Sequence, residues 1–222
     1  MTYCDPYHLL GLCCNPFVSF GIDELIDTSW IDRGLSQSPP VRAKLFVQLL
    51  GAQGAGKTSH LLYWQRQTDG VYVSYPPERI RARAQRWRIP PIGDIAYWDE
   101  AQAIPRTLLL LALFQAAIHR STIVVATHAD LSWIAKSVGL TVKTIKLPLL
   151  DTQTLLKWAQ LRIKAAQLPD KETSLHLTPE IAEQILAQSG NSWRAAATHL
   201  HVWVAAKKER SLAVRYHKYE CT

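Results

Sequence analysis

Apolar runs of strand length alternate with helix-like segments through the first two-thirds of the chain, and only helix-like segments follow. Short apolar runs predict strands at about 43–50, 71–75, 94–98, 122–126 and 141–147. Beyond Pro148 the pattern predicts three helices, at 151–167, 179–190 and 193–208. Strands alternating with helices, followed by helices alone, are typical of an α/β core with a smaller helical domain. We therefore predict a parallel five-stranded sheet flanked by helices, with a small C-terminal all-α lid.

Charge and turn residues divide the chain into four segments. Residues 1–40 form an acidic lead-in, which we expect to pack on the core because it is too apolar for a disordered tail. Residues 41–149 form the core and residues 150–208 the lid. Residues 209–222 form a basic tail, and we expect this tail to be mobile and to add general affinity for acidic partners.

Composition narrows the partners and the compartment. The 222-residue chain has a formal net charge of +7, which favours acidic partners, with nucleic acid ahead of a membrane surface. Its four cysteines form no C-x-x-C pair, which makes a metal site unlikely, and because the sequence indicates no signal peptide we expect reduced thiols and a cytoplasmic location. The longest apolar run is too short to span a bilayer, and the sequence indicates neither a membrane partner nor a targeting segment.

One glycine-rich stretch follows the first predicted strand and opens the next predicted helix. It fits the phosphate-loop pattern G-x-x-x-x-G-K-[ST], and its residues are Gly51, Ala52, Gln53, Gly54, Ala55, Gly56, Lys57 and Thr58. Such a loop surrounds a polyphosphate with backbone N–H groups at the positive end of a helix. Lys57 is expected to reach the β- and γ-phosphates, and Thr58 is expected to bind Mg²⁺.

A second phosphate-site signature ends the third predicted strand. Asp99 and Glu100 follow that strand directly, and Asp99 lies 41 residues after Thr58. Asp99 would hold Mg²⁺ and its waters, and Glu100 would orient and deprotonate the attacking water. The spacing, with one strand and one helix between the two motifs, makes the pairing much more specific than either motif alone.

Three further positions are weaker candidates. Thr127 ends the fourth predicted strand, where ligands of such folds bind, and either contacts the γ-phosphate region or caps the next helix. His128 is interpreted as structural. Arg194 lies in the first turn of the last lid helix, where an arginine is electrostatically unfavourable without a partner, so we expect it to reach the γ-phosphate.

Together these motifs resemble one branch of the AAA+ ATPases, which includes the secretion ATPase ExeA and the transposition regulators TnsC, TniB and MuB. The resemblance covers roughly residues 7–205. It rests on the phosphate loop, the Asp-Glu-Ala-Gln run at 99–102, the Ser-Gly-Asn-Ser-Trp-Arg run at 189–194, and a Gly-Leu-x-x-x-Pro-Phe opening at 11–17. The core-to-lid junction at 147–154 is also similar.

The resemblance implies an ATPase that uses ATP and Mg²⁺ and assembles with nucleotide into a ring or helical filament. It implies that Lys57 and Thr58 bind nucleotide and metal, that Asp99 and Glu100 serve metal and hydrolysis, and that Thr127 and Arg194 take the two sensor positions. This chain departs from the family in one respect. Relatives place a trans-acting arginine just before the fifth strand, and this chain has no arginine at that position. Either Arg106 or Arg120 supplies that group, or hydrolysis is slow and ATP acts mainly in assembly.

An arginine-rich segment is the candidate nucleic-acid site. Residues 78–88 are predicted to form a helix in which Trp87 faces the core and basic side chains flank the apolar stripe; these are Arg79, Arg81, Arg83, Arg86 and Arg88. They fit phosphate contacts with double-stranded DNA. The alternatives are a solvated helix face or an acidic neighbouring subunit.

The leading hypothesis is a DNA-associated AAA+ ATPase that oligomerises with ATP and recruits or regulates a partner such as a transposase. The alternative is a signalling, secretion-type or filament-forming ATPase that acts on protein partners without DNA.

Overall fold

The computed structural model describes residues 6–18, 22–75 and 87–219. The chain divides into two compact units. One unit runs from Asp32 to Pro148, and the other combines the residues up to Ile31 with those from Leu149 onward.

The Asp32–Pro148 unit contains a five-stranded sheet in which every neighbouring pair of strands is parallel. The strand order is β2-β3-β4-β1-β5. The strands are β1 Leu45–Leu50, β2 Val71–Ser74, β3 Ile95–Asp99, β4 Thr122–Thr127 and β5 Thr141–Lys146. Each lies within about two residues of its predicted position. The strands β3 and β4 are buried along their whole length, which is why nearly continuous apolar runs mark them, whereas β5 is largely exposed.

Helices cover both faces of this sheet through separate apolar clusters. The helices of this unit are α2 Lys57–Thr68, α3 Arg106–Ile118 and α4 Ser132–Ser137. Leu61 and Trp64 of α2 pack with Val47 and Tyr97 in one cluster. The other cluster joins α3 and α4 to the opposite-facing side chains of the same strands, including Phe46 and Trp98. The alternation of side chains along each strand therefore separates the two layers.

A fully buried glutamine in the middle of β1 ties the sheet to the loop after β4. Gln48 donates to Asp130 Oδ1 at 2.7 Å and to Thr144 Oγ1 at 2.8 Å, and its Oε1 accepts from the backbone N–H of Leu131 at 3.0 Å. Because its amide groups are bonded, burying this polar side chain carries little penalty. The network fixes the loop that carries the end of β4.

We expect Asp130→Asn to remove a pH-dependent part of the stability. Bonds from Gln48 and from the Ser132 N–H hold the pKa of Asp130 at about 2. Because this folded-state pKa is depressed, the carboxylate stabilises the native state above the unfolded pKa of about 4, and this stabilisation is lost as the pH falls through about 2. Urea unfolding of both proteins across this range should show a deficit at neutral pH that closes in acid.

The exposed Asp170→Asn, which removes the same charge elsewhere, is the control for the Asp130 variant. A deficit of Asp130→Asn that stays constant with pH would show that the loss comes from altered packing and not from the carboxylate charge.

The second unit is helical, with α1 Ile22–Ser29, α5 Thr152–Ala165, α6 Pro179–Ser189 and α7 Trp193–Tyr219. Capping residues account for several of its helix ends. Asp151 accepts from the Thr154 N–H at 2.8 Å, Thr178 caps α6, and Gly190 ends α6 with a φ of 57°. Left-handed conformation at a helix end favours glycine.

The lead-in, which the sequence predicted to pack on the α/β core, is divided between the two units. Its residues up to Ile31 belong to the helical unit, whereas Leu35 packs with the α/β core. Leu10, Leu12 and Phe17 are buried in one cluster with side chains of α5, α6 and α7. The buried Arg162 of α5 donates to the carbonyl of Pro16 at 2.8 Å and to that of Val18 at 2.9 Å. These apolar residues of the lead-in thus cover the lid helices, and Arg162 provides hydrogen-bond donors for two backbone carbonyls of the lead-in.

Two other predictions differ from the structure. Helix α7 continues to Tyr219, through most of the segment predicted as a basic tail beyond residue 208. Trp87, predicted to face the core, is 70% exposed, and it lies with Arg88 in a turn and bend. Helical spacing in the sequence places Trp87 on an apolar stripe, but spacing alone does not show whether such a stripe is buried. Arg79, Arg81, Arg83 and Arg86 lie outside the described residues.

Candidate nucleotide-binding site

The phosphate loop connects β1 to α2 at the carboxyl edge of the sheet. Gly54 and Gly56 have φ angles of 76° and 85°, in the left-handed region that glycine adopts without strain. The Ala55 N–H bonds the Ala52 carbonyl at 3.2 Å, closing the turn. Because α2 begins at Lys57, its positive N-terminal end faces this loop.

Lys57 lies across its own loop. Its ammonium donates to the carbonyls of Gly51 and Ala52 at 2.9 Å each, and the residue is 6% exposed. Burial lowers the pKa of Lys57, while the nearby carboxylates of Glu100 and Asp99 oppose that shift. The oxygens of a phosphate would compete with these carbonyls for a partly desolvated cation, which strengthens the attraction.

The two residues predicted to hold Mg²⁺ are in direct contact. Thr58 Oγ1 donates to Asp99 Oδ2 at 2.9 Å, and the Tyr72 hydroxyl donates to the same oxygen at 3.4 Å. Asp99 is 5% exposed, and burial raises its pKa although the bond from Thr58 opposes the shift. A hydroxyl oxygen beside a carboxylate oxygen suits the hard-oxygen preference of Mg²⁺, so this pair fits the ion.

Glu100 is held by two residues whose roles the sequence did not reveal. Gln102 Nε2 donates to Glu100 Oε2, and His128 Nε2 lies 3.5 Å from Glu100 Oε1. The His128 ring nitrogens also lie 3.3 Å and 3.4 Å from Lys57 Nζ. The backbone N–H of His128 donates to Gln102 Oε1 at 3.3 Å. His128 and Gln102 therefore link the ends of β3 and β4 and join the lysine to the glutamate.

Comparisons with protein-family models and with curated protein sequences find no match. Solved structures do match. The replication initiator DnaA bound to AMPPCP and single-stranded DNA has a TM-score of 0.53 and 14% identity, over 89% of this chain and 63% of that chain. A DNA replication initiation factor has the same score and identity, over 89% and 62%. The Thermotoga maritima RuvB Holliday junction branch migration motor has a TM-score of 0.48 and 20% identity, over 70% and 52%.

The chain has an α/β P-loop fold, with a parallel five-stranded sheet flanked by helices. It spans 52% of the length of RuvB and 63% of that of DnaA. The predicted fold class is thereby confirmed, whereas the branch of ExeA, TnsC, TniB and MuB stays a resemblance. Among the described residues, no helix is both long and apolar enough to cross a membrane.

The hydroxyl of the predicted sensor residue, Thr127, forms hydrogen bonds within its own turn. Thr127 is fully buried, and its hydroxyl donates to the Ala129 carbonyl at 2.8 Å and accepts from the Ala129 N–H at 3.1 Å. It closes the turn that presents His128. Arg194 is exposed at the second position of α7 in the helical unit. The sensor roles of Thr127 and Arg194 stay predictions.

An arginine that the sequence did not identify supports the phosphate loop. Arg33 donates to the Ala55 carbonyl at 2.9 Å and to the Pro148 carbonyl. It therefore ties the loop to the end of the segment after β5. The signal in the sequence was weak, since Arg33 lies in the acidic lead-in, far from the motif in the chain.

The candidates for a trans-acting arginine lie apart from the loop. Arg106 is exposed at the first position of α3. Arg120 is exposed just before β4, at the edge of the sheet opposite the loop. Neither residue contacts the phosphate loop of its own chain in the contacts that the described residues make, and a trans role for either stays a prediction.

Proposed function

We propose that this protein binds and hydrolyses ATP with Mg²⁺, oligomerises with nucleotide on double-stranded DNA, and recruits or regulates a partner such as a transposase in the cytoplasm. The observation that carries the proposal is the contact of Thr58 with Asp99 at 2.9 Å beside a buried Lys57. This arrangement places a hydroxyl, a carboxylate and an ammonium where the phosphate loop would present a triphosphate.

The side chains divide the hydrolytic work by their chemistry. Glu100 would accept a proton from water as the water oxygen bonds the γ-phosphorus and the bond to the bridging oxygen of ADP breaks. Lys57 would hold the γ-phosphate oxygens, and Arg194 would add a second cation. Bound Mg²⁺ supplies charge neutralisation to the phosphate oxygens. His128 and Gln102 would position Glu100, since both contact it.

Three observations support DNA as the polymer. The chain carries a net charge of +7, and five arginines lie within residues 79–88. DnaA, which shares the fold, is a replication initiator solved with AMPPCP and single-stranded DNA. This number of cations gives an affinity for DNA that depends on the salt concentration and only a little on the base sequence.

One observation favours the second candidate function, in which the ATPase acts on a protein partner without DNA. Helix α3 exposes an apolar face of Leu110, Leu111, Phe114 and Ile118, which are 41–63% exposed. Contiguous exposed apolar side chains are typical of protein interaction sites. This face is compatible with either function, because the leading proposal also includes a protein partner and contacts between subunits.

Sedimentation of the purified protein with ATP and Mg²⁺, with and without double-stranded DNA, at low and high salt, tests the proposal. We expect a large assembly that requires both ATP and DNA and that dissociates as salt rises. Assembly with ATP alone, unaffected by DNA, would favour the protein-partner function. The absence of any ATP-dependent assembly would count against both.

A further inference from the structure

A row of basic side chains lies at the amino edge of the sheet, opposite the phosphate loop. We define this amino edge by Arg42, Lys44, His119 and Arg120, which lie within three residues before β1 and β4, and by Lys136, which lies in α4 five residues before β5. These are adjacent strands in the order β4-β1-β5. Since neighbouring strands lie about 4.8 Å apart, the topology brings these basic residues near one another although they are distant in the chain.

Backbone contacts fix this arrangement. The Lys44 N–H bonds the Arg120 carbonyl at 2.9 Å, and the Thr141 N–H bonds the Lys44 carbonyl at 3.1 Å. A Cβ placed on Gly139 would lie 3.9 Å from Lys44 Nζ, so that ammonium reaches the turn before β5. The Gly139 N–H bonds the Lys136 carbonyl at 3.0 Å, which brings Lys136 to the same turn.

The backbone at three of these cations is unusual. Arg42, Lys44 and Arg120 have φ angles of 53°, 51° and 56°, and they make up half of the six non-glycine residues with positive φ in the described structure. A long side chain in this conformation costs about 1 kcal/mol relative to glycine. Such residues concentrate at functional sites, and Glu100, with a φ of 55°, is another of the six.

The amino edge also contains a cleft of about 600 Å³, lined in part by Arg42, Asp94, His119 and Arg120. Asp94 is the one carboxylate among the described lining residues, and it is paired with Arg42 at 2.6 Å. The side chains of Arg120 and His119 are exposed. The cleft therefore presents excess positive charge to solvent.

The arginine-rich segment leads directly into this edge. Arg88 ends that segment and is exposed, and four residues later Ile92 forms part of the cleft wall. The phosphate loop lies at the other end of the six-residue β1, about 20 Å away at 3.3 Å per residue. A long anion could therefore occupy the amino edge while nucleotide occupies the carboxyl edge.

We infer that the amino edge binds the phosphodiester backbone of double-stranded DNA, through Lys44 and Arg120 with Arg42 beside them. The inference rests on the proposed function for its DNA, but it assigns contacts outside the arginine-rich segment. Basic side chains before neighbouring strands, exposed at Arg42 and Arg120 and half-buried at Lys44, suit a polymer with closely spaced negative charges. An acidic protein or the nucleotide of another subunit are competing ligands that the experiment separates.

The test is fluorescence anisotropy with a fluorescein-labelled, mixed-sequence DNA duplex over a KCl series, with ATP and Mg²⁺ present. The variant is Lys44→Asn with Arg120→Asn, because asparagine tolerates positive φ. The matched control, Lys157→Gln with Lys164→Gln, removes the same charge from exposed positions of α5. The slope of log K against log salt is negative, and we expect the variant to reduce its magnitude by about 1.8, at about 0.9 per phosphate contact. The control should retain the wild-type slope.

The outcomes separate the inference from the function on which it rests. If wild-type protein binds the duplex and the variant keeps the wild-type slope, the amino edge is overturned while the proposed function stands. If wild-type protein does not bind at any salt, the DNA part of the proposed function fails together with the inference. If the variant keeps its DNA slope but loses ATP-dependent sedimentation, the cations contact another subunit, and the inference is overturned. Matching thermal unfolding of variant and wild type verifies folding.

Discussion

Replacing Lys57 with alanine is expected to abolish measurable ATP binding and all nucleotide-dependent assembly. The ammonium is the buried cation of the phosphate loop, and a hydrogen bond to a charged group contributes about 1.5–3 kcal/mol. Losing that contact to two phosphates corresponds to a fall in affinity of about 100-fold or more. The fold should survive, because Lys57 contacts the loop carbonyls of Gly51 and Ala52 and the ring of His128 but is not part of an apolar core cluster.

Titration with a fluorescent ATP analogue measures the affinity, and sedimentation measures the assembly. Lys157→Ala is the control, since it removes an equally charged, exposed lysine from α5. Wild-type affinity in Lys57→Ala would place the nucleotide somewhere other than the phosphate loop. Lost affinity with retained assembly would show that nucleotide does not drive oligomerisation.

The predicted site residues that the structure brings together are those encoded by short motifs of consecutive residues. The phosphate loop needs glycine at left-handed positions between a strand and a helix, and Asp99 ends β3, which lies two strands away from β1 in the same sheet. Parallel strands align their carboxyl ends, so the start of α2 and the end of β3 lie at one edge. The contact of Thr58 with Asp99 at 2.9 Å is consistent with that arrangement.

The parts that the sequence did not predict depend on contacts between distant residues. Arg33 reaches the phosphate loop, and His128 reaches both Lys57 and Glu100, but no spacing rule marks either residue. The His128 orientation follows from the turn that Thr127 closes, which only the folded backbone shows. The apolar residues of the lead-in predict packing, but apolar character does not identify the surface that they cover.

The amino edge illustrates the same limit for charge. In sequence, Lys44, Arg120 and Lys136 lie in three separate segments before strands, and no long basic run marks any of them. The strand order brings the starts of β4, β1 and β5 together, and so brings these scattered charges to one edge. Charge patterning along the chain located the arginine-rich segment but not a site assembled by topology.

Replacing Glu100 with glutamine is expected to separate ATP binding from hydrolysis. Glutamine keeps the size of the side chain but does not accept the proton of the attacking water, and loss of a general base lowers rates by about 10²–10⁴-fold. The variant also removes a negative charge from the neighbourhood of the triphosphate, so affinity for ATP should be unchanged or higher. The ATP-bound assembly should therefore accumulate.

Phosphate release under single-turnover conditions, together with sedimentation, checks this expectation. Glu183→Gln, an exposed change on α6, controls for loss of one acidic charge. Because Glu100 contacts both Gln102 and His128, its substitution also reports on the link between the ends of β3 and β4. Hydrolysis at the wild-type rate in Glu100→Gln would mean that another group accepts the proton. His128 would then be the first candidate, since its ring lies between Lys57 and Glu100.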